Sequence, residues 1–538
     1  MKDISSTGSF INFYLNNYIY VDKTKYIRDL IKLERVFISR PRRFGKSLTL
    51  DTIATLFETG VEPYFKGTWI YDKWTEPTYP VLRLNFLDLD KYSLEHFKQK
   101  LNAIISSFAR DINVKNYEEK VEPEDTIYFL LDELRKEKRQ LVILIDEYDC
   151  QMTANINNET LYKQFQEKIK SFYATIKNKW AIKFLLITGV TKTKNSSVFS
   201  GTDINDITNY SPYSQMIGFT RDEIKKYYID YLKLASSYEN NCSVDNVTDE
   251  QIESMLDMMA QNYDGYCFDE FYKKKVFSTW SVNSFFQSII ENKFVDFGDY
   301  WYDNGGLPSI LVNYLKTHKL NSLDYVEKDK TITIRVNDFK NPTSLTSINQ
   351  NVLMCQTGYL TLRSPVYSKG FMTLGIPNSE VYNALLSLMA LNIFDDTKLE
   401  NVNEQILSQS KDVGEIIELF NTVLNTVSYD NYPISSEAVV QQLLYMYLKG
   451  ICNSVSAELH SSKGRADLVI ESDNRRIVFE FKYAKNEIEA KVKLSEAIEQ
   501  IKTRDYGNIV PKKAELLRIA AVFNADPKVR AFTEYHEV

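Results

Sequence analysis

The sequence predicts an α/β protein. A parallel-sheet core comes first, then a helical region, a mixed connector and a second, smaller α/β domain. Three observations predict it. Short apolar runs at 36–38, 80–86, 141–145 and 181–190 alternate with amphipathic stretches, the pattern of strands joined by helical crossovers. The first run enters a turn that closes on Gly45-Lys46-Ser47 before a helix. From 433 onward a new helix–strand–strand–helix–strand order begins, with carboxylates at its strand ends.

The bulk composition narrows the classes. The chain has 538 residues, room for roughly three or four domains with their own cores. Hydrophobic content of 44% and charged content of 25% are those of a globular protein in water. A net charge of −7 excludes a uniformly basic nucleic-acid binder, so any such contact is a local patch. The five cysteines (150, 242, 267, 355, 452) form no C-x-x-C pair, and only four histidines occur. Reduced thiols in a cytoplasmic protein fit this usage better than a disulfide framework or a zinc site. No apolar run approaches the roughly 20 residues that span a bilayer, and MKDISSTGSF lacks a signal-peptide core. The 36 tyrosines and 30 phenylalanines are spread along the chain and are read as core rather than as a base-stacking surface.

Taken in order, KYIRDLIKL after Tyr20-Val21-Asp22-Lys23-Thr24 has helical spacing, with Asp22 as its cap. Val36-Phe37-Ile38 is a strand, and the helix after Ser47 runs to about Gly60. PVLRLNF is the next strand, followed by amphipathic helices over 93–110 and 125–138. LVILIDEYD is a buried strand ending in two acids; helix 159–178 then leads to AIKFLLITGV. The polar stretch 192–210 is a loop. GFTRDEIKKYYIDYL opens a helical layer, where Thr220 and Glu223 have capping-box spacing. Residues 263–286 combine a hairpin-like segment with a helix; 321–432 mixes short strands (TITIRVNDF, GYLTLRSP) with helices. The expected domains are 1–215 (core), 216–320 (helical lid), 321–432 (connector) and 433–538.

The turn at 40–47 has the layout of a phosphate-binding loop: backbone N–H groups and a helix N-terminus face an anion. Arg43, Phe44, Gly45, Lys46, Ser47 and Leu48 would form the cradle. Lys46 would reach the β/γ-phosphates and the Ser47 hydroxyl would ligate Mg²⁺. The usual first glycine of G-x-x-x-x-G-K-[ST] is replaced by Arg40. At the end of LVILIDEYD, Asp146 would hold Mg²⁺ and Glu147 would polarise the attacking water. Thr188, at the end of the following strand, either senses the γ-phosphate or ends the strand without a further role.

The second chemical site is in 433–538. Glu480 and Lys482 share one strand face because strand side chains alternate, and Asp467 lies on the neighbouring strand. Two converging carboxylates can hold Mg²⁺ or Mn²⁺ through oxygen, and a lysine beside them can orient water or stabilise phosphoryl charge. That set suits phosphodiester hydrolysis. The alternative is a solvated ion pair. Glu437 either completes the metal site or caps its helix. Gln500 is placed near the active edge and Tyr506 in the packing. Glu458 is a weaker metal candidate.

YVDKTKYI, SRPRRFGKSL, VILIDEYD, LLITGV and GFTRDEI together resemble the bacterial AAA-ATPase-like family. GRADLVI, VFEFKYA and AIEQIKTRDY resemble the PD-(D/E)XK nuclease-like, restriction-endonuclease-like domain that commonly follows it. The resemblance covers about 8–315 and 433–538, and YDGYCFDE departs from the family's usual turn. It implies ATP and Mg²⁺ as cofactors at Lys46, Ser47, Asp146 and Glu147, and nuclease chemistry at Asp467, Glu480 and Lys482. The leading expectation is an ATP-driven or ATP-gated nuclease acting on DNA, in defence or mobile-element control. The alternative is an ATP-dependent signalling switch whose C-terminal domain binds nucleic acid without cutting. There its patch would be 463–465, Arg475, Arg476 and the lysines from 482 to 493. No membrane partner is expected, and the oligomeric state stays open.

Overall fold

The structure is a computed structural model. It describes residues 1–538 other than 178, 194–203, 302–308, 316–324, 326–327, 368, 395–404, 428, 430–431, 451–455, 460–465, 473, 505 and 507–512. The chain divides into two compact units, one of 1–320 with 328–381, the other of 321–327 with 382–538. The stretch 216–320 therefore belongs to the same unit as the core, and 321–432 is shared between the two units.

The first unit is built on a five-stranded, wholly parallel sheet in the order β2-β3-β4-β1-β5. Its strands are β1 (Arg35–Ser39), β2 (Val81–Asn85), β3 (Leu141–Asp146), β4 (Ile182–Gly189) and β5 (Asn205–Asp206). β3 is buried at every position and β4 at all but Lys183, as a sheet covered on both faces requires. The helices Lys46–Thr59, Leu94–Asp111, Pro123–Lys136 and Glu159–Ile176 are the crossovers. All four match the helices expected from the apolar spacing. Ile53, Leu56 and Phe57 of the first crossover are fully buried, each stabilising by about 1.5–3 kcal/mol relative to exposure. The fifth strand was not expected; its two residues pair with Val36 and Phe37 inside a stretch read as loop.

A helical layer follows: Arg221–Tyr227, Ile229–Glu239, Asp249–Tyr263 and Thr279–Asn292. Its core includes Tyr228, Tyr231, Met255, Phe285 and Phe286 together with Ile19 and Val21 from the start of the chain. The buried Tyr228 ring stacks on Phe286 at 5.3 Å, and its hydroxyl donates to Asn283 Oδ1 at 2.6 Å, satisfying the polar end of an otherwise apolar side chain. The capping box forms as expected, Thr220 accepting from Glu223 N while the Glu223 carboxylate accepts from Thr220 N.

Two motif residues of the N-terminal segment tie these parts together. Asp22 accepts from Thr24 N at 2.9 Å and from Trp69 N at 2.6 Å. Lys23, nearly buried, pairs with Glu223 at 2.6 Å. A small antiparallel sheet completes the unit, in the order β6-β8-β7: β6 (Ile332–Arg335), β7 (Thr361–Leu362) and β8 (Phe371–Gly375).

The second unit carries a five-stranded mixed sheet in the order β13-β12-β11-β10-β9. The strands are β9 (Ser456–Leu459), β10 (Leu468–Glu471), β11 (Arg475–Ala484), β12 (Glu515–Asn524) and β13 (Ala531–Glu537). β11 and β12 are parallel and joined through the helix Glu487–Arg504; the other pairs are antiparallel. Two strands exceed expectation. The stretch 455–472 supplies both β9 and β10 rather than one strand, and β13 adds an edge. Alternation on β11 gives each face its own cover. Phe479 and Phe481 meet Phe420 of the helix Val413–Asn425, with Phe479 at 5.2 Å. Val478 packs on the other face with Ala497, Ile501 and Ala520.

Candidate functional site

The first site is where β1, β3 and β4 end side by side. β1 stops at Ser39, and the chain turns through Arg43 (φ 68°) and Gly45 (φ 98°) into the helix that starts at Lys46. A left-handed residue at Gly45 is free for glycine and strained for others, so this glycine lets the loop close on the helix N-terminus. The parallel register Asn85↔Asp146 and Ile145↔Ile187 brings Asp146 and Thr188 to the same sheet edge.

There the predicted residues converge. Ser47 Oγ donates to Asp146 Oδ2 at 2.6 Å, and Thr188 Oγ1 donates to Asp146 Oδ1 at 3.1 Å. Lys46 Nζ donates to the carbonyls of Arg40 and Pro41, both at 3.1 Å, and lies 3.8 Å from Glu147 Oε1. Burial raises the Glu147 carboxyl above its usual range, Lys46 opposes this, and Asp149 and Asp146 add to it. Asp149 is buried and accepts from Thr191 N, Val190 N and Thr191 Oγ1, which fixes the chain just past β4. Gly189 sits against it: a Cβ there would lie 2.5 Å from both Asp149 Oδ1 and Tyr148 Cδ1.

These groups face a cavity of about 610 Å³ lined by Arg42 to Thr49, Glu147, Ile19, Val21, Phe219, Trp280 and Asn283. Its size suits a nucleotide. The two arginines of the loop take different positions. Arg43 lies over the Trp280 ring at 3.9 Å, and its carbonyl accepts from Thr279 Oγ1. Arg42 lines the cavity, and its carbonyl accepts from Trp301 Nε1 at 3.3 Å. Phe44 points inward, edge-on to Tyr266 at 4.7 Å and Phe268 at 5.6 Å. Its side chain anchors the loop, and only its backbone is left for a phosphate. Both arginines line the cavity; Arg43, expected from sequence, also stacks on Trp280, whereas Arg42 was not singled out from sequence.

The second site is on the C-terminal sheet. The antiparallel register Leu468↔Phe479 and the bond from Asp467 N to Phe479 O place Asp467 across from Glu480. Asp467 Oδ2 accepts from Phe481 N at 2.7 Å. Lys482 Nζ donates to Glu480 Oε1 at 2.7 Å and lies 3.6 Å from Glu437 Oε1. The four predicted side chains thus form one cluster. Glu480 is 0% exposed, and its Oε2 has no hydrogen-bond partner. Burial pushes Asp467 up to about 7, Glu480 adding to the effect and Phe481 N opposing it. Burial also raises Glu480, against Lys482. Burial alone would lower Lys482, but Glu480, Glu437 and Asp467 outweigh it and hold its pKa above the usual value.

A donor set of carboxylate oxygens, one of them buried without a partner, fits a hard divalent cation. Among the described residues no three His, Cys, Asp or Glu side chains make a ready metal cage, so water or substrate oxygens would complete the shell. Gln500 Nε2 and Arg504 Nη1 both donate to the Tyr506 hydroxyl, at 3.2 and 2.9 Å. Tyr506 is buried among Val478 and Ala497, the packing role expected of it. The Glu458 side chain, 463–465 and the turn at Asp473 lie outside the described residues. Arg475 and Arg476 are buried, with Arg476 paired to Glu471, so neither offers an open phosphate patch. Among the described residues no helix is long and apolar enough to cross a membrane, and Cys150, Cys242, Cys267 and Cys355 are free thiols.

Comparison with known proteins gives two family matches in the chain. Residues 5–199 match the family described as predicted AAA-ATPase, and 435–532 match the PD-(D/E)XK nuclease superfamily. An uncharacterized protein in the vnfD 5'region of Azotobacter chroococcum mcd 1 is 25% identical over 533 residues, covering 95% of this chain and 94% of that protein. The crystal structure of Cdc6p from Pyrobaculum aerophilum covers 68% of this chain and 93% of its own at 11% identity, with a TM-score of 0.22. The chain joins a domain of the predicted AAA-ATPase family to a C-terminal domain of the PD-(D/E)XK nuclease superfamily.

Proposed function

We propose that this protein binds and hydrolyses ATP at the first site and cleaves nucleic-acid phosphodiesters, of DNA in the first instance, at the second. At the first site Mg²⁺, held by Ser47 and Asp146, would neutralise phosphate charge. Lys46 exchanges the Arg40 and Pro41 carbonyls for the β/γ-phosphates. Glu147 orients and deprotonates water; burial raises its pKa above the ordinary carboxylate range, which makes it a stronger base than a free carboxylate. Thr188 keeps Asp146 in place. Arg42 supplies a cation to the charge that develops on the γ-phosphate.

At the second site a divalent ion held by Asp467 and Glu480, with Glu437 beside them, would polarise the scissile phosphate and its attacking water. Lys482 positions that water and balances the carboxylates. The observation that carries the nuclease reading is the buried Glu480 carboxylate opposite Asp467, with one oxygen unpartnered. A buried carboxylate with a missing partner is costly in a purely structural role and explained in a metal site.

The test is plasmid cleavage with Mg²⁺ or Mn²⁺. Wild type cuts, Glu480→Ala and Lys482→Ala do not, and all three retain DNA binding. Equal cleavage by Glu480→Ala would remove the nuclease reading. Binding without cleavage by wild type would leave the switch.

A further inference from the structure

A second cavity of about 400 Å³ lies in the first unit, against Ser39, Arg40 and Pro41 at the start of the phosphate loop, and shares no lining residue with the nucleotide cavity. Arg40, Thr208, Tyr210, Phe268, Phe339 and Leu360 are among its walls. Its volume is within the roughly 300–1,000 Å³ of small-molecule sites.

Arg40 gives this cavity its chemistry. It stands at the loop position where the usual motif has glycine, and it is 1% exposed. Nη1 donates to the carbonyls of Ser39 and Thr208. Nε and Nη2 have no acceptor. The guanidinium carbon lies 4.2 Å over the Phe268 ring, a contact that uses its face and leaves the in-plane N–H groups unanswered. Burial draws its pKa down to about 9, with Asp206 opposing, so it remains charged at neutral pH. Asp206 is itself paired to Lys192. Guanidinium donors withdrawn from water without acceptors are costly to keep, and an anion would answer them. The cavity walls carry Arg40, Lys192 and Lys340 against Asp206 and Glu270, an excess of positive charge.

We propose that this cavity binds a small organic anion, its carboxylate or phosphate taken by Arg40 and its flat apolar body by Phe268, Tyr210 and Phe339. The anion acts on the nucleotide loop without entering the nucleotide cavity. The carbonyl of Arg40 is one of the two that hold Lys46, so an anion on Arg40 engages the residue that restrains the phosphate-binding lysine. Asn341, exposed on the cavity wall, gives access for a blocking variant.

The test is calorimetric titration of full-length protein with phenyl phosphate and with benzoate, a probe for each acid. A Lys46→Ala background weakens competition from the nucleotide cavity. One of the two probes binds there, and which one identifies the acid class. Arg40→Met, which keeps the length and removes the donors, weakens it at least tenfold. Asn341→Trp narrows the entrance without touching Arg40, does the same, and decides the matter if Arg40→Met fails to fold. Absence of binding by both probes, or unchanged affinity in a folded variant, overturns the site. ATP binding by wild type is read separately. ATP bound with neither probe bound defeats only this inference; a probe bound without ATP defeats only the nucleotide reading.

Discussion

Asp467 sets the pH behaviour of the C-terminal site. With its pKa pushed up to about 7 it is protonated in mild acid and would have to lose that proton to hold the metal ion proposed for this site. Mn²⁺ affinity is therefore expected to rise steeply from pH 6 to pH 8, with proton release that calorimetry in buffers of different ionisation heat will register. The linkage sign is that of a carboxyl raised in the folded state. Between its ordinary value of 3.8 and about 7 the folded chain binds the extra proton, so metal-free stability falls as pH rises through that window. Asp467→Asn flattens that part of the stability–pH curve, and an unchanged slope would refute the assignment. At the first site Arg42→Ala is expected to lower kcat for ATP by about 10³–10⁵ if it stabilises the transferring phosphoryl group, while KM changes little. An equal loss in nucleotide affinity would make Arg42 a binding residue instead. The sequence named Lys46, Ser47, Asp146 and Glu147 because two spaced motifs constrain one another. It named Arg43 and not Arg42, since the stacking of Arg43 on Trp280, 237 positions later, is a contact that no local motif contains.

The elements explain how those side chains stay in place. Gly189 ends β4 where Tyr148 and Asp149 leave no room for a methyl group. Gly189→Ala is expected to cost about 1–3 kcal/mol by overpacking and to reduce ATP turnover by shifting Thr188; urea denaturation and a turnover assay check both. Thr220→Ala breaks the capping box of Arg221–Tyr227 and should cost about 1 kcal/mol without altering metal binding at the C-terminal sheet. β1 to β4 were legible because each is dominated by apolar residues bounded by turns or acids, although Arg83 interrupts β2 and Lys183 interrupts β4. β5 and β13 were not: β5 is two residues long, and β13 is an edge whose sequence, AFTEYHE, is mostly polar and exposed. β8 was missed as well, since FMTLG was not separated from the turn that precedes it. Edge strands take their pairing from neighbours, which a local pattern does not contain.

Across the whole molecule each unit carries a candidate site of its own, built by different means. The first gathers its residues at one end of a parallel sheet, where strand ends and a helix N-terminus meet. The second gathers them across an antiparallel pair, on one face of β11. The sequence pointed to both clusters, because acids at the end of buried strands need a reason to be there. Its division of 216–432 into lid and connector rested on weak periodicity, and the contacts that group 328–381 with the first unit are long-range. The central claim is that this chain handles divalent ions at two independent places, and Mn²⁺ binding tests it most directly. Titrations of wild type, Lys46→Ala and Glu480→Ala, with and without a non-hydrolysable ATP analogue, should resolve a nucleotide-dependent and a nucleotide-independent class. Lys46→Ala should lose only the first and Glu480→Ala only the second. Nucleotide-independent Mn²⁺ binding that survives intact in Glu480→Ala would contradict the account.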